Sequence, residues 1–467
     1  MDNSVLKQAL AIAERYQGRV AKEPVFPRTT PELLRKALRA PLPEQGVDAS
    51  AVIEQLAAAA EPGLVASTGP RYFGFVIGGS LPVTTAADWL ATAWDQNAGL
   101  YATSPAASVV EEVAAEWLLE LLGLPSNTSV GFVTGCGMAN FTALAAARHH
   151  VLQKAGWDAE EDGLQGAPQV NVIVGEEVHV TVITALRMLG LGARKVRRVP
   201  TDGQGRMIAS GLRTIISDCN GPTIVCVQAG NVNTGAFDPL EEIAEITRSH
   251  AGGSAWIHLD GAFGLWAAAS ERLRHLVKGA DKCDSWATDA HKWLNVPYDS
   301  GLVMTAHPEA HRAAMTTSAA YLVQSSRERD PFEWTPEFSR RARGFAMYAA
   351  LKNLGRSGVR DLVERCCARA KQAADLLGAH KGVEILNEIV LNQVLVRFQN
   401  SDEETRAVIA RVQQDGTCWL GGTTWHGMAA MRISVSNWST TERDIELSAE
   451  AILKSAGIRP TASAARS

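Results

Sequence analysis

The sequence predicts an α/β protein with a mostly parallel central sheet covered by helices, followed by a smaller C-terminal α+β domain. Two observations lead there. Between residues 130 and 305, short apolar runs alternate with amphipathic helical patterns, the rhythm that makes neighbouring strands parallel. After residue 351 the order becomes long helix, strand, helix, Gly-rich hairpin, strand and helix, which suits a separate unit. With 467 residues, 46% of them hydrophobic, the chain can bury a large core and divide into two or three domains.

Residues 1–65 read as helical, with apolar positions at Val5, Leu6, Leu10, Leu33, Leu34, Leu38, Val52, Ile53 and Leu56. Prolines at 24, 27, 31, 41, 43 and 62 cut this region into short helices with little core of their own, so it is expected to pack on another domain or a second subunit. From residue 66 the chain turns Gly-rich and apolar, and a long helix over 105–122 ends at the stop signal Gly123-Leu124-Pro125. Strands are expected at 130–134, 170–174, 195–199, 223–228, 256–260, 285–288 and 302–305. Helices are expected at 138–153, 179–190, 208–217, 239–250 and 267–277, with a surface loop over 155–168. Beyond them come a helix over 353–377, a strand over 383–399, a helix over 402–414, a hairpin region over 416–430, a strand over 431–436 and a helix over 441–455. The tail 460–467 reads as disordered. Three parts result: 1–65, a large domain 66–350 and a small domain 351–467.

Composition excludes several classes. Seven cysteines, odd in number and without a C-x-x-C, argue against a disulfide framework or a zinc site. A net charge of −5 with both signs interspersed calls for neither nucleic acid nor an anionic membrane. No apolar run approaches the roughly 20 residues of a spanning helix, and the first residues lack a signal peptide's pattern, so the chain is expected in the cytoplasm.

Four places carry chemistry. His291-Lys292 follows a short apolar strand and precedes a turn, which sets an amine at a strand mouth. Partly desolvated between Trp286 and Trp293, that amine would have a lowered pKa and attack a carbonyl cofactor. Taken alone, the pair reads more simply as a surface lysine beside a core histidine. Gly135-Cys136-Gly137 lies between a strand and a helix start, where free N–H groups can hold a phosphate or merely allow close packing. His179, near the start of the next helix, would on general grounds be structural. Asp260 ends an apolar strand before Gly261-Ala262, at the ligand edge of the sheet or as a cap for the following helix.

In that order at successive strand ends, these residues are the set needed for pyridoxal 5'-phosphate: phosphate cradle, ring face, pyridinium partner and Schiff-base lysine. A nicotinamide site fits worse, because the third glycine position after Gly135-Cys136-Gly137 is Asn140. Neither a G-x-S-x-G elbow nor a Walker loop is present.

At these residues the sequence resembles a known family. Phe73-Gly-Phe75 with Gly79, Ser104-Pro-Ala106 with Glu111, Trp117-Leu118 and Gly123-Leu-Pro125, His179, His258-Leu-Asp-Gly-Ala262 and Asp289-Ala-His-Lys-Trp293 look like the group II pyridoxal-phosphate-dependent amino-acid decarboxylases, which include the aromatic-L-amino-acid and glutamate decarboxylases. The resemblance implies a fold-type-I, transferase-like sheet with helices on both faces. It also implies a homodimer with active sites at the subunit interface, a small-molecule amino-acid substrate, and no metal. Carried over, Lys292 would bond the cofactor, Asp260 would keep its ring nitrogen protonated, His179 and Ala262 would cover its two faces, and Gly135, Cys136, Gly137 and His291 would receive its phosphate.

The match is imperfect. The familiar hydroxyl of the Gly/Ser turn is replaced at Gly137, Asn-Pro before His-Lys is Asp289-Ala290, and Gly230-Asn-Val-Asn233 stands where relatives have Gly-Thr-Thr. Relatives also carry a mobile loop after the lysine, often with a tyrosine that protonates the product. Here 324–340 holds Phe332, Trp334 and Phe338 but no tyrosine, with Tyr321 just upstream read as structural. Decarboxylation of an L-amino acid to an amine is therefore expected alongside two alternatives, aldehyde formation with oxygen and Cα–Cβ cleavage, with His291 or His179 as stand-in proton donor. The 12 tryptophans suggest an aromatic substrate. A cofactor-binding sensor or scaffold is the non-enzymatic alternative.

Overall fold

The structure is a computed structural model that describes residues 4–250, 255–316 and 327–459. The expected tail 460–467 and Tyr321 lie outside the described residues. The chain forms two compact units: residues up to 77 with 372–386 and those from 395 onward, and residues 78–371 with 387–394. The division differs from the three consecutive parts expected, since the N-terminal residues group with the C-terminal ones.

In chain order the first helices are α1 (Ser4–Arg19), α2 (Pro31–Leu38) and α3 (Ala49–Ala60). Thr30 and Asp48 cap α2 and α3 by accepting the N–H groups of Leu33 and Ala51. None of the three helices has a single buried residue. The second unit opens with α4 (Pro82–Trp94) and α5 (Pro105–Leu122), the latter capped by Ser104 and stopped by Gly123 at φ 66°.

Next come β1 (Ser129–Val133), α6 (Cys136–Lys154), β2 (Asn171–Gly175), α7 (Val180–Met188), β3 (Arg197–Val199), α8 (Ala209–Ser217), β4 (Thr223–Gln228), α9 (Leu240–Ser249), β5 (Trp256–Asp260), β6 (Ser285–Asp289), β7 (Gly301–Thr305) and α10 (Pro308–Met315). The seven strands form one sheet in the order β1-β7-β6-β5-β4-β2-β3. Only β7 runs against its neighbours. Every residue of β1, β4, β5, β6 and β7 is buried, as in a sheet covered on both faces by helices. The carboxyl ends of β1, β2, β5 and β6 therefore share one edge. The antiparallel β7 passes through that edge at Gly301, which pairs with both Val133 and Asp289. A Cβ on Gly301 would lie 2.5 Å from the Cα of Gly135, so a side chain is excluded there. α6 lies on the sheet through Ala139, Ala143, Ala146 and Ala147, all fully buried.

Three expected elements differ. Residues 267–277 form separate 3-10 turns, Gly264–Ala269 and Arg274–Val277, because Ser270 is extended (φ −110°, ψ 128°) and its hydroxyl accepts the N–H of Leu273. The expected strand 383–399 is broken into β8 (Val383–Ile385) and β9 (Gln393–Phe398). Between them Asn387 donates its amide to Thr234 O and Gln393 O, at 3.0 and 3.1 Å, in place of ladder bonds. The preceding helix, α11 (Gly344–Gly378), starts earlier than expected and is interrupted at Gly355 (φ 61°, ψ −177°).

The first unit is completed by α12 (Asp402–Asp415), β10 (Gly421–Trp425), β11 (Met428–Ser434) and α13 (Glu442–Ser455). Its sheet has the order β10-β11-β9-β8. Trp419 anchors the N-terminal residues of this unit, with the rings of Tyr72, Phe75 and Phe26 stacked at 5.1, 6.0 and 6.2 Å. Among the described residues no helix is long and apolar enough to cross a membrane.

Candidate active site

Four strand ends of the second unit bring the candidates together. β1 leads through Gly135 into α6, so the N–H groups of Cys136 and Gly137 lie at a helix N-terminus without intrahelical partners. β2 leads to His179, which caps α7 by accepting the N–H of Thr181 at 3.4 Å. β5 ends on Asp260, and β6 ends on Asp289, followed by Ala290, His291 and Lys292.

Asp260 is buried and accepts from Cys136 Sγ at 3.4 Å, Asn140 Nδ2 at 3.2 Å and the N–H of Ala262 at 3.1 Å. The last bond is the cap-like contact considered for an Asp at a strand end. Among the described residues no lysine or arginine forms an ion pair with this carboxylate. A polar chain backs it. Trp256 Nε1 donates to Ser285 Oγ at 2.9 Å, leaving the serine hydroxyl to donate to His258 Nδ1 at 2.9 Å. His258 Nε2–H then donates to Asn140 Oδ1 at 2.9 Å, and the Asn140 amide donates both to Asp260 and to Thr181 Oγ1 at 3.2 Å. Thr181 in turn bonds His179 Nδ1 at 2.8 Å. The bond from Ser285 to Nδ1 needs a neutral His258, and burial does push its pKa down to about 4 against the opposing pull of Asp260.

Lys292 departs from expectation. Its Nζ lies 2.9 Å from Asp289 Oδ2. Burial favours the neutral amine, but Asp289, the Cys136 thiol and Asp260 outweigh it, and the pKa is raised, not lowered. The two tryptophans do not desolvate it as expected. Trp286 alternates to the other face of β6 from Asp289 and donates to Ala280 O, and Trp293 packs near Phe263 at 6.5 Å. Trp256 and Trp266 are likewise committed, to Ser285 and to the backbone of Asp289. The tryptophans around this edge are core, so they carry no argument for an aromatic substrate.

The turn after Lys292 is fixed from a neighbouring segment. Gly79 N–H donates to Asn295 Oδ1 at 2.6 Å, Leu81 N–H donates to Asn295 O, and a Cβ on Gly78 would sit 1.9 Å from Lys292 O. His291 Nδ1 accepts the N–H of Ser300 at 3.2 Å, and its Nε2 is 3.3 Å from Asp289 Oδ1. Burial lowers its pKa despite that carboxylate. Tyr298 stacks on the imidazole with centroids 4.3 Å apart. The aromatics of the post-lysine segment do not line this edge. Phe332 and Trp334 are buried in a 3-10 turn, and Phe338 packs against Phe332 at 5.1 Å.

Sequence reasoning missed Asn140, Thr181, His258, Asp289 and Tyr298 as parts of the site. His258 had a usable signal, lying two residues before Asp260 on the same strand face, and Asn140 lies one turn after Cys136 on α6. Tyr298 had none, because its approach to His291 depends on a turn.

A helix start, a buried carboxylate with no lysine or arginine paired to it among the described residues, and a lysine meet at one sheet edge, a set that suits a cofactor bearing an aldehyde, a phosphate and a cationic ring. The comparisons give the family: the pyridoxal-dependent decarboxylase conserved domain matches residues 31–399, and the chain belongs to that family. It is a pyridoxal-phosphate-dependent amino-acid decarboxylase, a carboxy-lyase. Tryptophan decarboxylase 1 of Oryza sativa subsp. japonica is 25% identical over 97% of this chain and 93% of its own. The acidic amino acid decarboxylase GADL1 of Mus musculus is 29% identical over 68% and 58%. A 4-hydroxyphenylacetaldehyde synthase of Rhodiola rosea is 25% identical over 92% and 90%. The crystal structure of Oryza sativa TDC with PLP and tryptamine has the same fold, with a TM-score of 0.90 at 23% identity, covering 97% of each chain.

Proposed function

We propose that Lys292, Asp260, His179, Ala262, Gly135, Cys136, Gly137 and His291 form the cofactor site of an L-amino-acid decarboxylase that releases CO₂. The observation that carries this is Asp260: a buried carboxylate held by three donors, with no cationic side chain paired to it, suits a protonated ring nitrogen. The donor set fits the rest of the cofactor. The amides of Cys136 and Gly137 at the start of α6, with the His291 imidazole, would take the phosphate. His179 and Ala262 would cover the two ring faces.

Bound there, pyridoxal phosphate supplies an electron-withdrawing ring conjugated with the substrate nitrogen, which draws off the electrons of the Cα–carboxylate bond as CO₂ leaves. Lys292 Nζ would be the nucleophile toward the cofactor carbonyl and would give way to the substrate amine. Because its pKa is raised, a proton must first leave Nζ, and Asp289 Oδ2 at 2.9 Å is the acceptor in reach. Asp260 would hold the proton at the ring nitrogen. With no tyrosine in 327–340, Tyr298, stacked on His291, is the candidate among the described residues for returning a proton to Cα.

Substrate identity is inferred more coarsely. The tryptophan decarboxylase and the 4-hydroxyphenylacetaldehyde synthase favour an aromatic amino acid, and the acidic decarboxylase keeps an acidic one in the panel. The synthase supports incomplete protonation as a second reading. A homodimer is supported by α1, α2 and α3 without buried residues and, in the other unit, by exposed Trp89, Leu90 and Trp94 on α4.

The test is a screen of holoenzyme against the twenty common amino acids and their hydroxylated derivatives under air, with CO₂ and products measured. CO₂ release is expected with amine falling short of it. Matching yields without aldehyde or peroxide refute leaky protonation, and consumption without CO₂ points to Cα–Cβ cleavage. Lys292→Ala is expected to lose both turnover and the absorbance of covalently held cofactor; retention of that absorbance refutes the lysine assignment.

A further inference from the structure

A carboxylate of the chain itself reaches the helix start to which the phosphate is assigned. Asp289 closes β6 with its side chain 3% exposed, and both carboxylate oxygens are engaged. Oδ1 accepts the N–H of Cys136, the first residue of α6, at 2.6 Å and lies 3.3 Å from His291 Nε2. Oδ2 pairs with Lys292 Nζ at 2.9 Å. The floor beneath is glycine: a Cβ on Gly135 would approach Asp289 Oδ1 to 3.3 Å and His291 Cε1 to 3.0 Å. One carboxylate thus holds a helix-start amide, contacts the neighbouring imidazole and clamps the nucleophile. Those are the groups a phosphorylated aldehyde has to engage.

We propose that Asp289 is an internal anion that occupies the phosphate cradle of the cofactor-free enzyme and must be displaced for pyridoxal phosphate to load. This rests on the assignment of the phosphate to the start of α6 and of the carbonyl to Lys292. Two consequences follow from charge alone. Without cofactor, the carboxylate satisfies a helix N-terminus and a buried ammonium that would otherwise lack partners, so it stabilises the empty site. With cofactor, a phosphate dianion enters against a fixed negative charge, so affinity is lower than the cradle would otherwise allow. Besides standing in reach of the Nζ proton, Asp289 thus sets cofactor retention. An asparagine would keep the shape and an acceptor for the Cys136 N–H while removing the charge.

The experiment uses full-length apoenzyme, wild type and Asp289→Asn, titrated by intrinsic fluorescence with pyridoxal phosphate, inorganic phosphate and pyridoxal, with thermal melting in parallel. Inorganic phosphate reads the cradle without the amine; pyridoxal reads the amine without the cradle. Asp289→Asn is expected to bind both phosphate-bearing ligands about tenfold tighter or more, to gain less for pyridoxal, and to melt lower when empty. Unchanged or weaker binding of inorganic phosphate and pyridoxal phosphate by Asp289→Asn overturns the proposal. Asp289→Ala, which lacks both oxygens, must show the same gain in phosphate affinity; a loss there makes the side chain a ligand and overturns it too. Lys292→Ala tests the underlying assignment separately: wild-type affinity and absorbance for pyridoxal phosphate in that variant would mean the cofactor binds elsewhere, and both readings would fall.

Discussion

Asn140 holds the candidate site together more than any residue that would touch cofactor. Its amide donates to Asp260 and Thr181 while its carbonyl receives His258, so one side chain orients the proposed pyridinium partner and the hydroxyl that bonds His179. Asn140→Ala removes a hydrogen bond to a charged acceptor and strands the His258 Nε2–H. The expected cost is roughly 1–3 kcal/mol of stability and a fall of about tenfold or more in kcat/KM. A purely structural role would leave the pH dependence of the holoenzyme's absorbance unmoved, and a shift is expected instead. Tyr298→Phe is the companion test of proton return: it keeps the stack on His291 but removes the hydroxyl, so the amine-to-CO₂ ratio should drop. An unchanged ratio would remove Tyr298 from the reaction. In the sequence, Asp260 and Lys292 stood out because strand ends and the His-Lys pair are local patterns. Asn140 registered only as a glycine that was absent, since its partners come from β5 and α7, more than 40 residues away.

At the scale of elements, α5 is tied to β1 and to the segment after residue 327 by buried charge. Glu111 on α5 and Arg340 are both almost fully buried, with Oε1 2.6 Å from Arg340 Nη1. The same guanidinium donates to Ala98 O at 2.8 Å and Phe132 O at 2.6 Å. Arg329 Nη2 lies 3.8 Å from Glu111 Oε2 and donates to Val130 O. Burial pulls the Arg329 pKa down to about 10 although Glu111 opposes it. One carboxylate therefore reaches two buried guanidinium groups, with Glu112 and Glu333 adding attraction at Arg329. Glu111→Gln should cost about 3–5 kcal/mol in denaturant unfolding, because it takes the paired carboxylate from the buried Arg340. A loss below about 1 kcal/mol would show that the arginines find other partners. The strands that this bolt joins were legible, as apolar runs bounded by turn residues, to within one or two positions. The misread stretches, 267–277 and 383–399, are those where Ser270 and Asn387 take over backbone bonding with their side chains, which periodicity does not register.

For the molecule as a whole, buried neutral histidines set an acid limit. His258 and His311 have pKa values pushed down by burial, to about 4 and about 3, and Arg329 lowers the second further. Unfolded, both would titrate near 6.5. Between those values the unfolded chain binds protons that the folded chain refuses, so folding stability rises with pH in that window and is lost as pH falls. At pH 7 both groups are largely neutral in either state, so neither weighs on folding there. Below about pH 6.5, each further drop of one in pH removes about 1.4 kcal/mol per histidine until the folded value is reached. His258 alone accounts for roughly 3 kcal/mol by pH 4. Protonating His258 also ends its role as acceptor from Ser285, so the chain from Trp256 to Asp260 breaks at the same step. The expected outcome is a denaturation midpoint that is level from pH 7 to 8 and falls steeply below about 6. In His258→Gln the slope between about pH 6 and 4 should be shallower than in wild type, even if that variant is less stable at pH 7. An identical slope would mean that other groups carry the acid sensitivity.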